Sequence, residues 1–240
     1  TKVRIPMSDS INRFIFDNTD VRGEHVRLEK SYQEILTIHH YPPGVANLLG
    51  EFLAAASLLS ATIKFEGSLI LQVRGDGEIP LIMAEANSER ELRAIAHDAS
   101  QAMSLDFKSL IGNGQLAMTI EPKHGKRYQG IVSLDGDSLA HCLEAYFEQS
   151  EQLSTRIWLC ADANSAAGLM LQELPSKSPD KDRWQHLVTI ADTVKDEELL
   201  TLNADTLLYR LYHQDAVRLF DAKPLIARCQ CSRERVEKAL

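Results

Sequence analysis

This 240-residue chain has no long uninterrupted apolar run, no surplus of positive charge and no dense set of cysteines. Each absence removes a class of protein. The most apolar stretch, 45–63, is broken by Asn47, Glu51, Ser57, Ser60 and Thr62, and its apolar residues keep a helical period. It therefore predicts a buried helix rather than a membrane span. No apolar segment follows the opening residues 1–6, so no secretory signal is expected. Four cysteines do not make a secreted disulfide scaffold, and the cytoplasm is the expected compartment. With 26 Lys and Arg against 34 Asp and Glu, the net charge of −8 repels phosphate backbones. No nucleic-acid partner is expected.

Catalytic signatures are also missing. The chain holds no Walker or dinucleotide loop leading into a helix, no G-x-S-x-G elbow and no H-E-x-x-H helix. The glycine turns Gly75-Asp76-Gly77, Gly112-Asn113-Gly114 and Asp135-Gly136-Asp137 leave one enzymatic alternative, a zinc-dependent or phosphate-loop enzyme. Hairpin turns call for the same residues, because they need positive φ. Asp196-Glu197-Glu198 fits the acidic first turn of a helix, and His39-His40 the end of one.

What is present is ordinary globular material, 44% apolar and 25% charged, enough for a real core. Ser31-Tyr32-Gln33-Glu34 fits a capping box opening a helix. A second helix is expected from Pro43, with Val45, Leu48, Leu49, Phe52, Leu53, Ala56 and Leu59 on its face. Residues 64–134 change to a period of two and predict a meander of mostly antiparallel strands. Ser138 caps a further helix, and 155–160 and 168–174 read as strands. The segment 175–182, rich in Pro, Ser and charge, reads as a linker into a helical region, in which Asn203 caps one helix. Short extended pieces follow at 217–220 and 225–227. Helices and strands are segregated, so the expected class is α+β with a mostly antiparallel sheet core.

Cys229-Gln230-Cys231 is the sharpest chemical signal. Two thiols one residue apart can grip one soft metal ion, or oxidise to a strained and easily reduced disulfide. Coincidence near a strand end is the bland alternative. A closed zinc site wants about four ligands, and this pair supplies two. Cys142 and Cys160 fall on apolar patterns that suit small hydrophobic roles, and His213 lies in a predicted helix. The remaining ligands are expected beyond Leu240 or on another chain.

Several stretches together resemble the heat shock protein 33 family of redox-regulated chaperones. They are RFIFDNTDVRGE at 13–24, VRGDGEIPL at 73–81, LIGNGQLAMTIEP at 110–122, RYQGIVSLDGDSLAHCLEAYFEQSEQL at 127–153, and the run from Leu199 through LYRLYH to CQCSRER. The resemblance implies an ATP-independent holdase for unfolding and oxidatively damaged proteins, not an enzyme. It implies that Cys229 and Cys231 are zinc ligands when reduced and disulfide partners when oxidised. It also implies a homodimer. On this reading 1–175 is the chaperone core, 176–227 a metastable helical linker, and 228–240 the beginning of a zinc and redox-switch domain. The family's second pair, Cys-x-x-Cys, is not in this sequence. A truncated or trimmed chain is therefore expected, one that binds Zn2+ weakly or not at all and needs little oxidant for activity.

Overall fold

The computed structural model describes residues 9–63, 66–176 and 180–228. Two six-stranded sheets enclose one long helix. The first sheet joins β1 (Ser10–Phe16), β2 (Val21–Leu28), β8 (Thr155–Ala161), β9 (Ala166–Glu173), β10 (Val217–Leu219) and β11 (Lys223–Pro224). Its order is β10-β1-β2-β9-β8, with β11 also on β1. The second joins β3 (Gly67–Gly75), β4 (Leu81–Asn87), β5 (Glu91–His97), β6 (Gly114–Pro122), β7 (Tyr128–Val132) and β12 (Ile226–Ala227). Its order is β12-β5-β4-β3-β6-β7, and only the β12–β5 pair is parallel among the described ladders. The helices are α1 (Lys30–Leu36), α2 (Pro43–Thr62), α3 (Phe107–Ile111), α4 (Leu139–Tyr146), α5 (Lys181–Ala191), α6 (Asp196–Thr201) and α7 (Ala204–Tyr212). The α+β expectation holds.

Helix α2 is the centre of the core. Of its 20 residues 14 are buried, which leaves no solvent face, so it packs against both sheets at once. Its length and mean hydropathy of 1.4 would suit a membrane span, but most of that window is buried inside the protein. Small residues let the first sheet approach it. A Cβ on Gly50 would lie 2.7 Å from the Ala161 methyl, and one on Gly168 would lie 2.8 Å from Leu58 Cδ1. Either substitution would push helix and sheet apart.

Three expectations are corrected. The capping box at Ser31 does not form, because Asp9 takes its place. One Asp9 carboxylate accepts from the amides of Glu29 (2.6 Å), Lys30 (2.9 Å) and Ser31 (2.6 Å), and from the Ser31 hydroxyl. An ionised acceptor at a helix start satisfies several orphan donors at once, and Ser31 sits inside the first turn instead. Helix α1 then stops at Leu36, so His39 and His40 lie beyond it and do not close its last turn. Finally, 64–134 is not a simple meander. After β5 the chain crosses through α3, and β6 pairs with the free edge of β3.

Candidate functional site

The cysteine pair Cys229 and Cys231 lies outside the described residues, but the path to it is described. From Ala216 the chain runs as a strap across the body. The Asp17 amide donates to the Ala216 carbonyl, β10 pairs with β1 from Phe14↔Leu219 to Phe16↔Val217, and the Phe220 amide donates to Arg13. The buried Asn12 side chain donates to the Phe220 carbonyl at 3.2 Å. The Leu225 amide then donates to Asp9, and the Ile226 amide to Arg90. The strap ends on the second sheet, where the Arg228 amide donates to Leu92 and its guanidinium pairs with Glu91. One strap thus ties both sheets together immediately before Cys229. The sequence shows its extended pieces, but nothing local in the sequence names their partners.

Upstream of the strap, α5, α6 and α7 lie over the outer face of the first sheet. Strand alternation aims Phe14, Phe16, Val21, Cys160, Leu169 and Leu171 outward, while Ile11, Val26, Leu28 and Met170 face α2. Leu187, Val188, Ala191, Leu199, Leu200, Leu207, Leu208 and Tyr212 close over that outward set and form a second core. Few polar ties reinforce it. Arg27 Nε donates to the Leu200 carbonyl at 2.5 Å, Trp158 Nε1 to Asp192 at 3.1 Å, and the Tyr212 hydroxyl to the Leu187 carbonyl at 2.9 Å. The Phe16 and Tyr212 rings meet edge to face at 4.8 Å. Arg156 also pairs with Asp192 at 2.9 Å, so apolar contact supplies most of the cover's area and a few ties, from Arg27, Arg156 and Trp158, fix its position. Capping is as expected at its last helix, where the Asn203 side chain accepts from Thr206.

The other sequence candidates resolve into structure. Gly75-Asp76-Gly77 and Gly112-Asn113-Gly114 interlock: the Asp76 amide donates to Asn113, the Gly77 amide to Ile111, and the Asn113 amide to the Asp76 carboxylate. A Cβ on Gly77 would fall 2.5 Å from the Gly112 nitrogen, which is why glycine is required there. Asp196, Glu197 and Glu198 form the first turn of α6, with Glu198 accepting from the Lys195 amide and from Arg210. His213 ends α7, its ring beside Tyr209. Cys142 and Cys160 are buried on separate elements, and burial pushes both thiols up, away from the thiolate that zinc requires. Among the described residues no group of three or more His, Cys, Asp or Glu is placed to hold a metal ion.

A cavity of about 490 Å³ lies beneath the strap, between the end of α2 and the two sheets. Glu24, almost fully buried, accepts from Arg13 Nε there at 2.8 Å, and burial raises its carboxyl despite that partner. The cavity joins the strap to both sheets, and its polar atoms serve that joint.

The family model described as Hsp33 protein matches residues 9–240. A 33 kDa chaperonin of Pseudomonas paraeruginosa is 52% identical, covering 97% of this chain and 81% of its own length. One from Ectopseudomonas mendocina is 55% identical over 98% of this chain and 82% of its own. The crystal structure of the 33 kDa chaperonin, a heat shock protein 33 homologue, from Thermotoga maritima superposes with a TM-score of 0.82. It is 20% identical and covers 96% of this chain and 83% of that one, so it supports the fold. These relatives define the class as a molecular chaperone, a stress-response protein that binds unfolded clients and is not an enzyme. The chain belongs to the Hsp33 family. The enzymatic alternative built on the glycine turns is thereby set aside.

Proposed function

We propose that this chaperone is switched by the oxidation state of Cys229 and Cys231, acting through the strap on the helical cover of the first sheet. The single observation that supports this is the strap itself. It starts where α7 ends and finishes at Arg228, one residue before the first cysteine. When reduced, the two thiolates would supply two of the donors that one Zn2+ needs, and such bonds would restrain the polypeptide after Arg228. When peroxide takes two electrons from the pair, a disulfide forms, two protons and the metal are released and the peroxide is reduced to water, so the restraint after Arg228 on the 217–228 strand pairings is lost. The segment 176–227 then acts as the metastable linker: α5–α7 lift, and Phe14, Phe16, Leu169 and Leu171 become a client-binding face. Binding there needs apolar contact alone and no ATP. The working protein is a cytoplasmic homodimer, with part of one subunit packed on the other.

Aggregation of a thermally unfolding client, followed by light scattering, tests this with and without reductant. The wild-type chain is compared with a Cys229→Ser/Cys231→Ser variant. The expected result is protection already present in reductant, because two donors hold the switch loosely, with a small further gain on adding peroxide in the wild type and none in the variant. Equal oxidant response in both would remove the cysteine pair from the mechanism. Metal analysis of the reduced chain gives a second reading: two donors predict loose zinc, and one tightly held ion bound through both cysteines contradicts that count.

A further inference from the structure

A histidine lies buried under the helical cover, and the switch described above makes no use of it. His25 sits in the middle of β2 at 2% exposure, and its Nε2 has no hydrogen-bond partner. Its direction follows from the strand register. Gly23 and Arg27, two residues either side, face outward: the Phe14 ring covers Gly23, and Arg27 reaches the Leu200 carbonyl of α6. Opposite His25 stand Asn12 on β1 and Leu169 on β9, and Leu169 belongs to the core beneath α5–α7. The imidazole is therefore enclosed by the cover, in surroundings that offer a cation no acceptor at Nε2.

We propose that His25 is a proton sensor for the docking of this cover: charging its ring releases α5–α7 from the first sheet with no change at the cysteines. That the released face then holds clients rests on the function proposed above. The neighbouring charges support this direction. Arg27 is the one charged group that acts on the ring, and it repels a second cation. Asn12 spends its amide on the Phe220 carbonyl. Of the acids of α6, Asp196 and Glu197 lie in its first turn, and Glu198 is engaged by the Lys195 amide and by Arg210. On α7, Asp205 is exposed and Arg210 pairs with Glu198. Glu29 is taken up by Arg27 at 3.0 Å, and among the described residues no carboxylate acts on the His25 ring to offset the new charge.

The sign follows from linkage. Burial first, and Arg27 second, push the imidazole down from 6.5 to about 4 in the docked state. The docked state therefore binds fewer protons than the released one, and docking weakens as pH falls below 6.5 towards 4. The docking equilibrium should fall about tenfold per pH unit in that window, and at most about 300-fold in total. Glu51 on α2 works in the opposite sense. Burial and the charge of Asp196 push it up to about 7, so its proton favours the docked state. Most of its surroundings, including Leu48, Leu105, Phe107 and Leu110, belong to the body and stay when the cover lifts. His25 loses its enclosure on release, and so it sets the direction.

The only two tryptophans in these 240 residues, Trp158 and Trp184, both pack in the covered core, so their emission reports docking. The chain is titrated from pH 7.5 to 4.5 in reductant, with far-UV circular dichroism in parallel. The proposal expects a red shift with its midpoint between 4 and 6.5 while the sheet signal stays intact. The shift should vanish in both His25→Gln and His25→Leu and persist in Glu51→Gln. An unchanged transition in the two His25 variants, no shift in the wild type, or loss of the sheet signal in the same step would each overturn it. A red shift without client protection at that pH upholds the sensor and counts against the client face.

Discussion

On the first sheet the outward side chains include Phe14, Phe16, Leu169, Leu171 and Trp158, with Asn12, His25, Arg27 and Arg156 as polar exceptions among them. On the second sheet they alternate in kind: Ile70 beside Glu85 and Thr119, Gln72 beside Met83 and Ala117, Arg93 beside Glu85. The first face is buried under helices. The second stays partly open, and satisfies itself laterally through Gln129 donating to Thr119 at 3.0 Å and Arg93 pairing with Glu85. Both sheets are built alike around α2, so the difference lies in side chains alone. A face that helices cover can be apolar, whereas a face that stays wet must mix its chemistry.

The strongest test of that contrast compares truncations on the two faces. Leu207→Ala, in the fully buried layer of α7, should cost about 2–5 kcal/mol and loosen α5–α7 selectively. Met83→Ala, on the open face of β4, should cost under about 1 kcal/mol. Urea unfolding followed by tryptophan emission and by hydrogen exchange separates the two, and equal losses would break the comparison. A middle-sized effect is expected from Arg27→Gln. It removes the charged donor from the Leu200 carbonyl and should cost about 1–3 kcal/mol, with faster exchange in 196–212 than in 67–97. The smallest belongs to Ile131→Ser on the exposed edge strand β7, within about 0.5 kcal/mol and with no change in client protection. Lost protection there would mean that the second sheet also holds clients.

Local pattern in the sequence foretold much of this architecture. The long apolar period of α2, the alternation of β3 to β7, and the caps Ser138 and Asn203 all rest on neighbours within a few residues. What stayed hidden depends on distance along the chain. Strands β1 and β2 carry Asn12, Arg13, Glu24 and His25, which break the alternation because some of these polar groups are buried against partners from elsewhere. The cap of α1 could not be read from Ser31, since Asp9 lies about twenty residues upstream. The five-residue helix α3 is too short to carry a period. For the functional elements, the family was legible by ordered motifs, whereas the spacing of the cysteine pair left its role open, and that role is the proposal made above. The strap's route over both sheets and the position of His25 under the cover were not legible, because each is fixed by ladder register rather than composition.

The strap also orders events in time. Asn12 and the Phe220 carbonyl it holds are separated by 208 positions, so this edge of β1 has no partner until the far end of the chain has been made. Through most of synthesis that edge is an open strand, exposed in the way that invites wrong pairings. Contacts so distant in sequence form late. Among the described residues, the seam that waits longest on synthesis is therefore the strap that runs to Arg228.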